Sequence, residues 1–308
     1  MSVSSLENIL KQSHSLTLTH SSKYYQSTSP GLPLLRVSNA FCDAVISLQG
    51  AQLLEFKARR GPPLLWLSPQ AVFEPEQAIR GGIPVCLPWF GVNTSDKGKP
   101  KHGFVRNQTW ELEHVEEPDD DSTQLTFVYR SSEQDQLLFP HAFSARLRMV
   151  LADTLHLQLS ITNHSELAAP FSWALHSYHA INTLKDVRVT GLEGLTYLDN
   201  CQGLTPVLQQ GPVSFGTEVD RVYESVPDIQ TIEGNPGIQI KGQDCDTAIV
   251  WNPGPALAAS MSDVGPDNHQ GFVCVERGAA FANSWTLAPD ETRTGKLWIS
   301  AIHRKNGS

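Results

Sequence analysis

Apolar and polar side chains alternate with a period of two along much of this chain, and this constrains its fold more than any other feature. The clearest run covers residues 154–161, where every second residue is Leu or Ile and those between are polar. Such alternation is typical of a strand with one face in the core and one in solvent. Residues 145–151 alternate in the same way. The sequence therefore predicts a hairpin from these two strands, with Ala152-Asp153 as the turn.

Eight further segments have the composition of strands and are separated by clusters of Gly, Pro, Asn and Asp. They are residues 34–37, 44–48, 53–57, 123–129, 171–181, 247–251, 271–276 and 297–302. Helical periodicity is confined mainly to the first dozen residues. Because parallel sheets need long helices between their strands, this order excludes a parallel α/β fold. It predicts an all-β fold, a large antiparallel sandwich with few short helices.

The length and the charge of the chain limit its fold and its partners. With 308 residues the chain can hold one large β domain or two smaller ones. Its net charge is −9, from 32 acidic and 23 basic side chains. This balance argues against a nucleic acid or a membrane surface as the main partner. An anionic ligand would need a local group of basic side chains, so clustered arginines are informative here.

The cysteines and the N-terminus indicate the compartment. The five cysteines form no Cys-x-x-Cys pair, and an odd number does not suit a disulfide framework, so we expect reduced and mostly buried thiols. The first residues lack the apolar core of a secretion signal, and no later segment approaches the length that spans a bilayer. We therefore expect a soluble cytoplasmic protein.

Residues 77–110 concentrate turn-forming residues and fixed positive charge. Arg80 precedes a Gly-Gly pair that lets the main chain approach a ligand closely, and Arg106 follows the tripeptide His102-Gly-Phe. A guanidinium offers a planar fork of donors, so two arginines could hold one phosphate from two sides. The alternative is that each makes an ordinary surface ion pair, which contributes little. We interpret the segment as an anion-binding site.

His176 is the first candidate for proton transfer. Strand geometry over residues 173–179 places His176 and Tyr178 on one face and His179 on the other, so the two histidines do not form a metal pair. Without His-Glu-x-x-His or a cysteine cluster, we expect no metal site. A single strand histidine is more often a structural group than a catalyst, and this alternative stays open.

Carboxylates supply the second set of candidates. Glu276 ends an otherwise apolar strand, where desolvation would raise its basicity, or it pairs with Arg277 or another cation at the sheet rim. Asp220 and Asp263 lie in segments suited to binding sugar hydroxyls, and each could equally cap a turn.

Five segments taken together resemble the hexose-6-phosphate mutarotases, which are glucose-6-phosphate 1-epimerases of the aldose 1-epimerase superfamily. The segments are residues 79–91, 101–110, 176–178, 220–223 and 274–278. They occur in the expected order, and the resemblance covers roughly residues 30–302. Its specific parts are Arg-Gly-Gly-Ile-Pro and His-Gly-Phe-x-Arg, whereas the other three segments are short.

The resemblance implies a β-supersandwich of the galactose mutarotase type over residues 30–308, after a partly helical extension of residues 1–29. It implies a reaction without a cofactor on the concave face of the large sheet, in a monomer that binds a hexose 6-phosphate. The implied roles are general acid for His176, general base for Glu276, sugar binding for His102 and Asp220, and phosphate binding for Arg80 and Arg106. Departures from the family pattern are His179 and Arg277, where relatives usually carry other residues.

The function implied is interconversion of the α and β anomers of D-glucose 6-phosphate and related hexose 6-phosphates by ring opening and closure. One alternative is a non-catalytic carbohydrate-binding protein of the same fold, since a fold does not determine a function. Another is a sugar hydrolase or lyase that uses Glu276 with Asp220 or Asp263 as a carboxylate pair.

Overall fold

The computed structural model describes residues 3–26, 31–118 and 122–302, and most of its regular structure is β-strand. Within these residues the α-helices are α1 (Val3–Gln12), α2 (Ser21–Tyr24) and α3 (Gly254–Ser260). All the hydrogen-bonded pairs of strands are antiparallel. The predicted all-β fold with few short helices is confirmed.

The strands of the described residues fall into three larger sheets and one small one. In chain order they begin with β1 (Leu16–His20), β2 (Pro33–Ser38), β3 (Cys42–Ser47), β4 (Gln52–Ala58), β5 (Val85–Cys86), β6 (Glu111–Glu116), β7 (Thr123–Arg130), β8 (Phe143–Leu151), β9 (Leu155–Asn163), β10 (Ala169–Phe171) and β11 (Trp173–Leu175). They continue with β12 (Tyr178–Ala180), β13 (Arg188–Thr190), β14 (Thr196–Asp199), β15 (Thr205–Leu208), β16 (Val219–Tyr223), β17 (Ile229–Glu233), β18 (Ile238–Gln243), β19 (Thr247–Asn252), β20 (Phe272–Ala279), β21 (Trp285–Leu287) and β22 (Thr292–Ala301).

Two eight-stranded sheets form the body of the protein. The back sheet has the order β13-β17-β18-β22-β9-β8-β7-β6, and the site sheet has the order β15-β14-β16-β19-β20-β11-β5, with β12 also paired to β20. A four-stranded sheet, β1-β2-β3-β4, and the pair β10-β21 complete the fold. The segment before residue 30 contributes β1 to the four-stranded sheet, and the expected boundary at residues 29 and 30 lies outside the described residues.

The predicted hairpin is strands β8 and β9, whose buried positions alternate along both strands. Leu147 pairs with Leu159, and both lie in the core. The turn differs slightly from the prediction, because Leu151 pairs with Leu155 and the loop therefore includes Thr154. Alternation fixes which face of a strand is buried, but it does not fix where the strand begins.

The main core lies between the inner faces of the two large sheets. It contains fully buried side chains from the back sheet, such as Leu157 and Ile299, and from the site sheet, such as Val250 and Val275. Trp173 on β11 reaches the back sheet where β22 carries Gly295, and a Cβ at Gly295 would lie 2.4 Å from its ring. The outer face of the site sheet therefore holds the site described below.

The predicted strand over residues 171–181 is interrupted twice and forms β10, β11 and β12. At the first break, Ser172 N–H donates to Pro88 O. At the second break, His176 N–H donates to Pro84 O and Ser177 N–H donates to Leu175 O. The strand-like sequence of this segment did not reveal these breaks, because the acceptors Pro84 O and Pro88 O come from a distant part of the chain.

The cysteines of the described residues are all free, and four of the five are buried, as the sequence predicted. Cys201 is the exposed one. No helix in the described part of the chain is long and apolar enough to cross a membrane.

Candidate active site

Strand register brings His176 and Glu276 together. Leu175 pairs with Arg277 and Tyr178 pairs with Cys274, so the same register on both sides of the break places His176 opposite Glu276. Residues directly opposite in an antiparallel pair share a face. His176 Nε2 lies 3.4 Å from Glu276 Oε1. The two predicted catalytic residues therefore face the same space.

Burial controls the charge of this pair. Glu276 is 1% exposed and His176 is 7% exposed. Burial, with a smaller contribution from Asp220, raises the pKa of Glu276 well above its usual value. Burial, together with the positive charges of Arg80 and Arg106, lowers the pKa of His176 well below its usual value. Each shift favours the neutral form of the group.

The prediction that His176 and Tyr178 share a face is confirmed by their parallel rings, whose centroids are 4.7 Å apart. Trp251 packs edge-on against both rings. His179 points to the other face, where its Nε2 lies 3.2 Å from Val275 O. Aromatic side chains thus hold the imidazole of His176 in one orientation.

The alternative that Glu276 pairs with Arg277 is wrong. The two residues are neighbours on β20 and point to opposite faces. Arg277 donates to Cys245 O and, through Nη1, to Gln230 Oε1 at 2.6 Å, all on the core side of the sheet. Glu276 Oε2, in contrast, is buried with no hydrogen-bond partner in the described residues.

Arg80 is positioned by a turn that only glycine permits. Gly82 has φ +62°, and a Cβ there would lie 2.2 Å from Leu53 O. The close approach that we expected toward a ligand is therefore made to the chain's own backbone. The Arg80 guanidinium donates to Asp263 Oδ2 through Nε at 2.9 Å and to the Tyr178 hydroxyl through Nη1 at 2.8 Å.

Asp263 is therefore the ion-pair partner of Arg80. The side chains of Arg80 and Asp263 are 25% and 30% exposed, so one edge of the guanidinium is reachable from solvent. Burial lowers the pKa of Arg80, but Tyr178 and Asp263 outweigh it and raise the pKa overall. Arg80 therefore stays charged, and its positive charge lowers the pKa of His176.

His102 lies beside His176, with the ring centroids 5.7 Å apart. Its Nδ1 accepts a hydrogen bond from Gly91 N–H at 3.2 Å, which leaves the ring proton on Nε2. Burial and the neighbouring positive groups lower its pKa well below the usual value, so the ring is neutral. Its backbone has φ +66°, and a Cβ at the following Gly103 would lie 1.9 Å from Leu87 O. His102 is thus a fixed neutral donor.

Arg106 lies in a short 3-10 helix, Val105–Asn107, directly after this turn. Its Nη2 donates to Lys101 O at 2.8 Å, and its Nε is buried with no hydrogen-bond partner in the described residues. Arg106 and Arg80 both lower the pKa of His176, so the positive charge of each arginine acts on the catalytic candidate.

Asp220 lies on the same face of the site sheet, two strands from Cys274. It pairs with Trp251, and Trp251 pairs with Cys274. Burial raises its pKa, while a hydrogen bond from Asn200 Nδ2, 2.6 Å from Asp220 Oδ2, lowers it. Ring contacts, the Arg80–Tyr178 hydrogen bond and strand pairing thus bring His102, His176, Glu276, Arg80 and Asp220 to one side of the site sheet, and Arg106 acts on His176 through its charge.

Sequence reasoning missed Lys101 and Cys274. Lys101 immediately precedes His102, and its positive charge lowers the pKa of both Glu276 and Asp220. Its position next to the His-Gly-Phe motif could have indicated this role. Cys274 is two residues before Glu276 and shares its face of β20.

Comparison with known proteins decides the family. The profile described as Aldose 1-epimerase matches residues 33–300, which is most of the chain. The chain belongs to the aldose 1-epimerase family. The protein is therefore an isomerase of the aldose 1-epimerase kind.

Curated relatives of this chain carry the name "Putative glucose-6-phosphate 1-epimerase". One from Cenchrus ciliaris is 35% identical over 85% of this chain and 82% of its own length. One from Salmonella typhimurium is 37% identical over 80% of this chain and 82% of its own length. One from Escherichia coli is 36% identical over 81% of this chain and 84% of its own length.

Solved structures show that the protein has the galactose mutarotase fold. A crystal structure described as "a putative mutarotase" from Salmonella typhimurium superposes with a TM-score of 0.85 at 30% identity, over 97% of this chain and 100% of that one. A galactose mutarotase related enzyme from Lactobacillus acidophilus superposes with a TM-score of 0.69 at 16% identity, over 89% of this chain and 98% of that one. The second likeness shows the fold alone.

Proposed function

We propose that the protein interconverts the α and β anomers of D-glucose 6-phosphate, and of related hexose 6-phosphates, by acid and base catalysis. One observation carries this proposal: the imidazole of His176 and the carboxyl of Glu276 lie opposite each other, 3.4 Å apart, beside two arginines. The relatives named above support glucose 6-phosphate as the substrate.

Anomer exchange needs two proton transfers of opposite direction. Glu276 removes the proton of the C1 hydroxyl while His176 delivers a proton to the ring oxygen, and the hemiacetal opens to an aldehyde. Rotation about the C1–C2 bond then presents the other carbonyl face, and the two groups exchange roles as the ring closes. Each positioned transfer contributes about 10²–10⁴-fold.

The pKa shifts make the reactive charged form of each group chemically stronger and less populated. A carboxylate whose pKa is raised is a stronger base toward a weakly acidic hydroxyl, and an imidazolium whose pKa is lowered is a stronger acid toward the ring oxygen. The charged pair is rare in the free protein, because burial disfavours both charges. A bound phosphate would oppose the field of Arg80 and Arg106, and this raises the fraction of protonated His176.

The phosphate end of the substrate is assigned to Arg80 and Arg106. Arg80 is held in place by Asp263 and Tyr178, and Arg106 by Lys101 O. Fixed donors orient the sugar at low entropic cost, so binding energy remote from C1 positions the reacting bonds. His102, with its proton on Nε2, and Asp220 are assigned to the sugar hydroxyls.

We also infer that the catalytic domain runs from about residue 30 and that the protein is a cytoplasmic monomer. The family match over residues 33–300 supports the domain boundary. Four buried free thiols support a reducing compartment. Neither the non-catalytic alternative nor the hydrolase alternative gains support from a relative, and Asp263 is bound to Arg80 rather than poised as a second catalytic carboxylate.

Polarimetry on freshly dissolved α-D-glucose 6-phosphate tests the proposal. The native protein should accelerate the approach to the equilibrium rotation, and Glu276→Gln should return the rate to the spontaneous value while circular dichroism shows a folded protein. A spontaneous rate with the native protein would favour a binding protein. New reducing ends released from an oligosaccharide would favour a hydrolase.

A further inference from the structure

Cys274 occupies the site without a role in the proton transfers. Its Sγ, a ring nitrogen of His176 and a carboxylate oxygen of Glu276 all lie within 4.8 Å of one another. The exposed fractions of the three residues are 0%, 7% and 1%. The amino-acid sequence alone did not indicate this group, because His176 meets Cys274 and Glu276 only through the pairing of β20 with β11 and β12.

The separations suit a tetrahedral metal ion. Bonds of about 2.0–2.1 Å to an imidazole nitrogen and about 2.0–2.2 Å to a carboxylate oxygen place those two ligands about 3.4 Å apart. His176 Nε2 and Glu276 Oε1 are already 3.4 Å apart. A thiolate at about 2.3 Å from the ion would lie roughly 3.6 Å from each of them. Each separation of the Cys274 sulfur from the other two ligands therefore needs to shorten by at most about 1.2 Å.

The ligands also have free capacity. His176 has no hydrogen bond at Nδ1 and Glu276 has none at Oε2 within the described residues, although both atoms are buried. A buried polar group without a partner is costly, and a carboxylate can ligate through either oxygen, so a cation bound to Glu276 would satisfy this carboxyl group. Arg80, Arg106 and Lys101 oppose a cation here, whereas one thiolate and one carboxylate would neutralise its two charges.

We propose that His176, Cys274 and Glu276 form an inhibitory site for a soft divalent cation such as Zn²⁺. Thiolate and imidazole select zinc over magnesium or calcium, which prefer oxygen ligands. The fourth position is left for water or a sugar hydroxyl. The inhibitory role rests on the proposed function, because the metal would occupy the lone pairs of His176 and Glu276 that carry the protons. Binding of the metal does not depend on the proposed function.

Metal binding is measured first and without substrate. Zn²⁺ added to the chelator-treated full-length protein should bind with one equivalent by isothermal titration calorimetry. Co²⁺ should give the visible bands of a tetrahedral ion and the near-ultraviolet band of a cobalt–thiolate bond. Absence of the thiolate band in the native protein would overturn the proposal, and this readout does not depend on any variant folding.

Variants then identify the sulfur ligand. Changing a residue that only orients a ligand typically costs 10–100-fold in metal affinity, so Cys274→Ala should cost roughly 100-fold or more. The matched control is Cys201→Ser at the exposed cysteine, which should bind Zn²⁺ as the native protein does. Equal affinities for native protein and Cys274→Ala or Cys274→Ser would overturn the proposal.

Activity completes the test. Zn²⁺ should slow anomerisation of glucose 6-phosphate by the native protein in proportion to its occupancy, EDTA should restore the rate, and each variant is compared with its own metal-free rate. Full activity with the metal bound would overturn the inhibitory role. A protein that binds Zn²⁺ through Cys274 but shows no activity without metal would overturn the proposed function and leave the metal site standing.

Discussion

His176 Nε2 lies 3.4 Å from Glu276 Oε1, although a hundred positions separate the two residues in the chain. The closeness follows from one strand register, which runs unchanged from Leu175 opposite Arg277 to Tyr178 opposite Cys274. A donor and an acceptor held this way act on one ligand as a unit. Their energetic contributions are therefore coupled.

The first prediction concerns the coupled contributions of His176 and Glu276 to the rate. His176→Asn and Glu276→Gln should each lower kcat for glucose 6-phosphate anomerisation by about 10²–10⁴-fold. The double variant should be little slower than the slower single variant, because residues that act as a unit are strongly non-additive. Anomer exchange followed by NMR measures the three rates. Multiplicative losses would show that the two groups act independently.

The arginines should govern substrate choice. We expect Arg106→Ala to raise KM for glucose 6-phosphate by at least about tenfold, since a charge-assisted hydrogen bond is worth roughly 1.5–3 kcal/mol. Free glucose, which lacks the phosphate, should be affected far less. Arg80→Ala should show the same selectivity. The exposed Arg130, which pairs with Glu111 and Glu113, offers a control in Arg130→Ala. Equal losses on the two sugars would contradict the phosphate assignment.

Regular alternation made part of the fold predictable. Strands β8 and β9 followed from it because each buries one face only, whereas β10, β11 and β12 appeared as one strand because their breaks are made by acceptors at Pro84 and Pro88. Motif resemblance supplied the pair His176 and Glu276. It did not supply the ion pair of Arg80 with Asp263, since residues 183 positions apart reveal no contact in sequence.

Arg277 should be a major contributor to stability. It is 1% exposed, and its guanidinium donates to the carbonyl oxygens of Cys245, Pro227 and Asp228 and to Gln230 Oε1. Each buried acceptor left unpaired costs about 1–3 kcal/mol, so Arg277→Met should lower the free energy of unfolding by about 3 kcal/mol or more.

Urea denaturation measures this loss. The exposed variant Arg130→Ala is the matched control, and it should change the free energy of unfolding by no more than about 1 kcal/mol. A loss of the same small size for Arg277→Met would mean that the buried hydrogen bonds make no net contribution. The catalytic pair lies on the other face of β20, so kcat of the folded fraction should change little.

Glu117 should make the attachment of the N-terminal segment depend on pH. Partial burial raises its pKa, but hydrogen bonds from the Ser13 and Ser15 side chains and from the His14 and Ser15 backbone N–H groups outweigh this and lower the pKa to about 2. A carboxyl whose pKa is depressed in the folded state stabilises that state fully above its unfolded pKa of about 4.3, and the contribution is lost as the pH falls toward 2.

Hydrogen exchange at residues 13–18 should therefore accelerate, relative to the rest of the chain, as the pH is lowered from about 5 to about 2. Glu117→Gln removes the titrating group, so exchange at these residues should already be faster at pH 7 and should show no further loss of protection specific to them. The control is Glu116→Gln, because Glu116 is exposed and its side chain bonds only to His114 among the described residues. Identical pH profiles for Glu117→Gln and the native protein would show that the segment is held by packing of Leu16 in the core and not by the carboxylate.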